Sequence, residues 1–283
     1  MSVTCLSLSQ CIRDGDLPVK VLFHKQKTSS LHYHDYNELV FVLSGHGSHI
    51  CKGEEYKISR GDVFVIKPGS EHRYQTSPEL NIVNVLIDFS SPELALNDLR
   101  QVSGFYALFE VEPLVRERNK GDLRLRLSPE ELDTACRHLQ EISTESKLQN
   151  PGYRFAALSS FYRLLLLISR LYEQPHQKPA ENMMRLSTML HFIEKRYMQD
   201  ISRDDIVNAA RLSVSSGSRL FRKLIGKSIV EYLTQVRIDH AKEKLRKNLK
   251  VSDVAFQCGF RDSNYFSSVF KKMTGESPSA YRK

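Results

Sequence analysis

The chain has 283 residues and a formal net charge of +8, a length that suggests two domains. Apolar residues make up 41% of it, enough for a core, and its densest apolar patch, Leu164 to Ile168, is far short of the ~18 residues a membrane span requires. Five scattered cysteines (Cys5, Cys11, Cys51, Cys136, Cys258) contain no CxxC pair, which indicates neither a disulfide framework nor a zinc knuckle.

The first residues, Met1 to Leu8, have no basic start before their apolar stretch, so a signal peptide is not expected and the cytoplasm is. Charge is unevenly placed. Residues 183–283 hold 20 Lys+Arg against 10 Asp+Glu, whereas the first 182 hold 21 against 23. A basic half joined to a nearly neutral one suggests a polyanionic partner for the basic half.

Residues 1 to about 18 carry no clear pattern. From Val19 to Phe89 the pattern is β, with runs at 19–24, 38–43, 48–51, 56–58, 62–66, 72–75 and 80–89. Gly45, Gly47, Gly53, Gly61 and Pro68-Gly69 separate them, and Lys52-Gly53 and Arg60-Gly61 read as hairpin turns. Short strands at even spacing predict an antiparallel barrel or jelly roll. His32 and His34 alternate onto one face of a strand, close in sequence to Glu38.

Ser91 to Leu96 reads as the start of a short helix, and 104–126 is mixed. Ser128-Pro129-Glu130-Glu131 is a helix start: a cap, then proline, then acidic residues. Pro151-Gly152 opens another helix that is apolar on more than one face and therefore needs two partners, its neighbour and either a dimer interface or another domain. Residues 173–182, polar with two prolines, read as a linker coinciding with the charge break.

The rest reads as helical. Ser202 to Asp205 caps a helix, Arg211-Leu-Ser213 turns, and Ser213 to Leu224 completes a helix-turn-helix. A long helix covers 229–245. Val251 begins a second unit: Gly259 ends its first helix, Asp262 or Ser263 caps the next, and Phe266, Val269, Phe270 and Met273 recur at helical spacing. The other face carries Ser263, Asn264, Ser267, Ser268 and Lys271, the layout of a recognition helix offered to the major groove.

Two resemblances follow. His32-x-His34, three residues, Glu38, six residues, Gly45, with Gly61, Pro68 and His72 later, resembles the two cupin motifs. The second motif departs at Gly69 and Thr76. The resemblance implies a small barrel with a central pocket, where His32, His34, Glu38 and His72 either contact an organic effector or hold a divalent metal. No cofactor is otherwise expected. Ser218-Arg-Leu-Phe-Arg-Lys, Gly226, Tyr232-Leu, Ala241, Cys258-Gly-Phe, Tyr265-Phe-Ser-Ser-Val-Phe-Lys-Lys, Thr274-Gly, Ser277-Pro and Tyr281-Arg are similar to the AraC/XylS transcription regulators over about residues 185–283. With the cupin-like half, the layout resembles the arabinose and rhamnose regulators.

That resemblance implies an α+β chain in four parts: a cupin-like sensing barrel at 1–90, a helical linker and dimerisation region at 91–174, an interdomain linker at 175–182, and a DNA-binding domain at 183–283 with helix-turn-helix units at about 203–224 and 251–274. It implies double-stranded operator DNA, a small-molecule effector such as a sugar, a second copy of the chain and RNA polymerase as partners, and no membrane. Carried over by position, Ser215, Ser218, Arg219, Ser263, Asn264 and Ser268 face bases, while Arg222, Lys223, Lys271 and Lys272 face phosphates. Gly217 stands where the family usually has a buried leucine, so either the first unit is weaker or its helix sits closer to its neighbour, and the second unit is expected to read more of the sequence. Two other functions stay open on the residues alone: a metal-dependent cupin enzyme with an accessory helical domain, and an architectural DNA-binding protein with a degenerate barrel.

Overall fold

The computed structural model describes residues 3–13, 15–76, 80–96, 98–99, 102–116, 124–173, 178–246 and 249–282. The chain divides into two units, Met1–Met184 and Arg185–Lys283. In the first, the β pattern becomes β1 (Thr4–Leu6), a helical turn α1 (Leu8–Cys11), β2 (Val19–Lys25), β3 (His32–His34), β4 (Asn37–Ser44), β5 (His46–Cys51), β6 (Glu54–Ser59), β7 (Asp62–Ile66), β8 (His72–Thr76) and β9 (Asn81–Ile87). Helix α2 (Ser103–Tyr106), a π-helical turn at Ala107–Val111 and α3 (Glu112–Arg116) follow, then β10 (Leu125–Arg126). One sheet runs β1-β3-β8-β5-β6 and the other β10-β7-β4-β9-β2.

β4 reads as an unbroken apolar run because both its faces are buried. Leu39 and Phe41 join Val63, Val65, Val83 and Val85 in the core beneath the helices. Val40 and Val42 join Phe64, Ile66, Tyr74 and Ile82 in a second core between the sheets. The two-residue period then places Glu38 with Val40 and Val42, inside the barrel. Gly61, with φ +91°, turns β6 into β7, and a Cβ there would stand 2.6 Å from the Leu127 carbonyl oxygen, so the position requires glycine twice over.

Helices α4 (Pro129–Leu148) and α5 (Tyr153–Tyr172) cover the second sheet. The Ser128 side chain accepts from the Glu131 N–H, and the Glu131 side chain closes a capping box. Ala135, Leu139, Ile142, Phe161, Leu164, Leu165 and Ile168 share one continuous core with β4, β7 and β9. The barrel's outer face is buried because these helices pack on it. By length and composition α5 could cross a membrane, and its apolar face is built into this core instead. Its Phe155 is 81% exposed.

Two other expectations change. Ser91–Leu96 forms turns, not a helix, because the backbone N–H of Ala95 and the carbonyl of Glu93 bond to the Tyr162 hydroxyl, each at 3.1 Å. Within the expected linker, residues 174–177 lie outside the described residues, and the chain is helical from Lys178, where α6 (Lys178–Arg196) begins.

The second unit contains α7 (Arg203–Ala209), α8 (Val214–Ile225), α9 (Ile229–Arg246), α10 (Val251–Gln257), α11 (Ser263–Thr274) and α12 (Pro278–Tyr281). The caps at Ser202 and Asp262 are those the sequence names, and Ser213, read as a turn, is a third. Ser202 forms a capping box with Asp205, Ser213 accepts from the Ser216 N–H, and Asp262 accepts from the Tyr265 N–H at 2.5 Å. Val254, Ala255, Cys258, Phe260, Phe266 and Phe270 form one core with Ile238, Ala241 and Leu245 of α9.

Gly217 is buried in α8, and a Cβ there would meet Val207 Cγ1 at 2.5 Å and Cγ2 at 2.9 Å. Of the two readings of this glycine, close approach is the correct one: α8 packs directly on α7, with no gap left by a missing leucine. Gly217→Ala is expected to destabilise the second unit by about 1–2 kcal/mol in denaturant titration, overpacking outweighing the ~1 kcal/mol gain in helix propensity. Adding Val207→Ala should restore part of the loss. A more stable single variant would contradict the close-packing account.

Candidate sensor pocket and nucleic-acid interface

Inside the barrel, His34 of β3, Glu38 of β4 and His72 of β8 converge, with one ligand atom from each within 4.8 Å of the others. His34 Nε2 lies 3.2 Å and His72 Nε2 3.8 Å from Glu38 Oε2. Both Nδ1 atoms are fixed by backbone carbonyls, that of Tyr36 at 2.8 Å and that of Ser70 at 2.9 Å. A carbonyl only accepts, so Nδ1 carries the proton on each ring, and a neutral ring then turns its Nε2 lone pair toward the carboxylate. Glu38 Oε1 accepts from Asn84 Nδ2 at 2.5 Å, and Tyr36 stacks on His34 at 4.3 Å.

His32, the fourth expected residue, pairs in register with His72, and their ring centroids are 4.2 Å apart. It is half-buried and its Nδ1 faces the Ser30 carbonyl, so it borders the triad without joining it. Sequence reasoning missed His49 of β5. It is fully buried, 5.5 Å from His72 and 5.0 Å from both Tyr74 and Phe64. The available signal was parity: His49 has the inward phase of β5, beside buried Cys51.

Burial pushes the Glu38 carboxyl up, but the contact with His34 and the other histidines around it outweigh burial and hold the group below the usual carboxylate range. Burial lowers His72 to about 4 and His49 well below its ordinary value. Burial also raises the Tyr74 hydroxyl far out of range. His34 Nε2, His49 Nε2, His72 Nε2, Tyr74 Oη and Asn84 Oδ1 are all buried with no protein hydrogen-bond partner. Such atoms cost about 1–3 kcal/mol each unless something polar meets them. The interior is thus polar, with several hydrogen-bonding atoms unmet by protein.

In the second unit, Ser215, Arg219, Arg222 and Lys223 are exposed on α8, and Asn264, Ser268, Lys271 and Lys272 on α11. Two expected base contacts do not fit. The Ser218 Oγ is buried, because Ser218 lies beside the inward stripe of Gly217, Phe221 and Ile225. Ser263 and Ser267 are half-buried, and the Ser267 hydroxyl donates to the Ser263 carbonyl at 2.8 Å. Both sit on the edge of the face that packs Phe266 and Phe270. Tyr265, 62% exposed next to Asn264, was not anticipated.

Residues 206–283 match the family described as a helix-turn-helix domain, and residues 19–84 the family described as a cupin domain. The chain is similar to the HTH-type transcriptional activator RhaR of Mannheimia succiniciproducens, 30% identical over 260 residues that cover 92% of this chain and 89% of the relative. It is similar to the protein of the same description from Escherichia coli K12, 29% identical over 261 residues with the same coverage. Among solved structures, the C-terminal domain of the two-component response regulator yesN from Fusobacterium nucleatum matches 34% of this chain and 94% of its own at 33% identity, with a TM-score of 0.33.

The pocket predicts a pH dependence. His72 titrates at about 4 when folded and at its ordinary 6.5 when unfolded. The unfolded chain therefore binds the extra proton first, and the associated stability is complete above pH 6.5 and is lost as pH falls from 6.5 toward 4. The shift corresponds to about 3 kcal/mol. Urea titration of the full chain between pH 8 and pH 4.5 should show this decline, with a shallower slope in His72→Gln. An unchanged slope would remove His72 as its source.

Proposed function

The chain belongs to the AraC/XylS family of transcription regulators, and we propose that it is an effector-responsive activator whose barrel binds a small neutral sugar. It is a sequence-specific DNA-binding regulator; the effector and the residue roles below are our reading. The observation that carries this reading is the cluster of buried, unpartnered polar atoms inside the barrel, in the same chain as two capped helix-turn-helix units. Hydroxyls both donate and accept, which suits neutral histidines, a tyrosine and an amide at once.

On this reading Arg219 reads guanine bidentately and Asn264 reads adenine, with Ser215 and Ser268 beside them. Arg222, Lys223, Lys271 and Lys272 hold phosphates and set affinity without sequence information. Ser218 drops out because its hydroxyl is buried, and Ser263 serves at most at the helix edge. With Gly217 explained by packing, both recognition helices contribute. The regulator acts in the cytoplasm as a homodimer on paired half-sites and contacts RNA polymerase. The effector acts by binding one arrangement of the dimer better than another, since a ligand shifts an equilibrium only by its differential affinity.

A second reading concerns the triad alone. With both Nδ1 atoms committed to carbonyls, His34 Nε2, His72 Nε2 and Glu38 Oε2 present three lone pairs to one point. This is the orientation in which a backbone carbonyl fixes a metal-ligating histidine. A divalent cation held there would supply a Lewis-acidic contact for an effector hydroxyl. Elemental analysis after chelator-free purification tests it. Stoichiometric metal that disappears in His72→Ala supports the metal; a metal-free, folded and effector-responsive protein excludes it.

Binding is measured by competition on the operator recovered from genome-wide mapping. Arg219→Ala and Asn264→Ala should each cost about 1–3 kcal/mol on the operator and little on random DNA. Lys271→Ala with Lys272→Ala should weaken both and flatten the salt dependence by roughly one unit of slope per lysine. A folded Arg219→Ala/Asn264→Ala variant that keeps the wild-type ratio of specific to random binding would refute these roles.

A further inference from the structure

A second set of buried polar atoms lines the barrel, and it comes from outside both sheets. β10 pairs with β7 at Asp62 and Val63. Two residues further along β7, the carbonyl of Val65 accepts from Arg116 Nη2, at the end of α3. The Tyr56 hydroxyl of β6 donates to the Arg116 carbonyl. Helix α3 is thereby fastened to both β6 and β7. The guanidinium lies 5.4 Å from the Phe64 ring centroid and 5.8 Å from that of Tyr56. Phe64 belongs to the core between the sheets, and His49 sits 5.0 Å from it.

Arg116 is 2% exposed and Glu112 0%. Arg116 Nε donates to Glu112 Oε1 at 2.6 Å. This leaves Arg116 Nη1 and Glu112 Oε2 buried with no partner, as are His49 Nε2 and Tyr74 Oη. A buried ion pair adds little stability over apolar residues of similar volume, and fastening α3 uses Nη2, the Arg116 carbonyl and the backbone hydrogen bond that the Glu112 carboxylate accepts from Val65. The spare donor and the spare acceptor are what structure alone does not require.

The pairing of charges selects the ligand class. An anion would meet the Glu112 carboxylate and a cation the guanidinium, whereas a hydroxyl can accept from Nη1 and donate to Oε2. We propose that Arg116 and Glu112, with His49 and Tyr74, form a subsite for adjacent hydroxyls of a neutral polyol effector, separate from the His34–Glu38–His72 triad. This rests on the sugar reading given above and goes further by naming the residues on α3 that recognise it.

The test uses the full chain and a panel of neutral aldopentoses, aldohexoses and deoxyhexoses with the matching uronic acids, read by thermal shift and calorimetry. At least one neutral sugar is expected to bind wild type, and its uronate to bind at least about ten-fold more weakly. Glu112→Gln keeps the shape and the acceptor toward Arg116 but replaces the spare acceptor with a donor, and should weaken binding about ten-fold or more. Arg116→Met/Glu112→Leu removes both charges together, so no lone buried charge is left to unfold the barrel, and should abolish the response with wild-type circular dichroism. A folded variant of either kind that binds the sugar as wild type does overturns the subsite. Preference for the uronate overturns the neutral class. A wild-type chain that no sugar in the panel shifts sinks the sugar reading itself and the subsite with it.

Discussion

The two-sided burial of the β4–β7–β9 sheet is the constraint on which the first unit depends. Each strand gives one parity to the core beneath α4 and α5 and the other to the barrel interior. A single-residue slip would exchange the two sets, driving Glu38 and Asn84 into a dry core and Leu39 and Val85 into the pocket. Burying an unpaired carboxylate there costs several kcal/mol, so the register that keeps the apolar core intact also assembles the polar site. Glu38 is accommodated where it stands because Asn84 donates to its Oε1.

What could be read in the sequence follows from the range of the forces involved. Caps and turns are local, and Ser128, Ser202, Ser213, Asp262 and Gly61 were legible as such. The triad was legible because its spacing resembles a known motif. Asn84 was not, because its place depends on which strand lies opposite, and no local pattern records that; His49 showed only its parity with Cys51. Arg116 was hidden for the same reason: the contacts that define it reach back 51 residues to Val65 and 60 to Tyr56, and only its pair with Glu112 is local. The false helix at Ser91 failed because a hydroxyl 67 residues away, on Tyr162, competes for its backbone groups.

Gly217 shows how a departure from a family pattern can be misjudged from sequence. A missing leucine suggests a cavity, and a cavity suggests weakness. The backbone instead closed the gap, bringing α8 against Val207. The same packing accounts for the buried hydroxyl of Ser218. With glycine at the centre of the stripe the helix sits deeper, and the residue next to it on the wheel is drawn under the surface with its hydroxyl buried. Arg219, one step further round, stays exposed.

The charges follow the same division of labour. Two buried carboxylates of the first unit are paired with cations within it: Glu112 with Arg116 at 2.6 Å, and Asp62 with Arg124 and Arg126 at 3.0 and 2.9 Å. The excess of positive charge lies in residues 183–283, where α8 and α11 expose basic residues in their last turns. Those residues already complement the negative ends of their own helices, so their presence alone does not establish phosphate binding. What distinguishes them is that they share an exposed surface with Arg219 on one helix and with Asn264 and Ser268 on the other. A helix cap needs a cation in its last turn but gains nothing from an exposed arginine, asparagine or serine one or two turns earlier, whereas a groove-binding helix uses both.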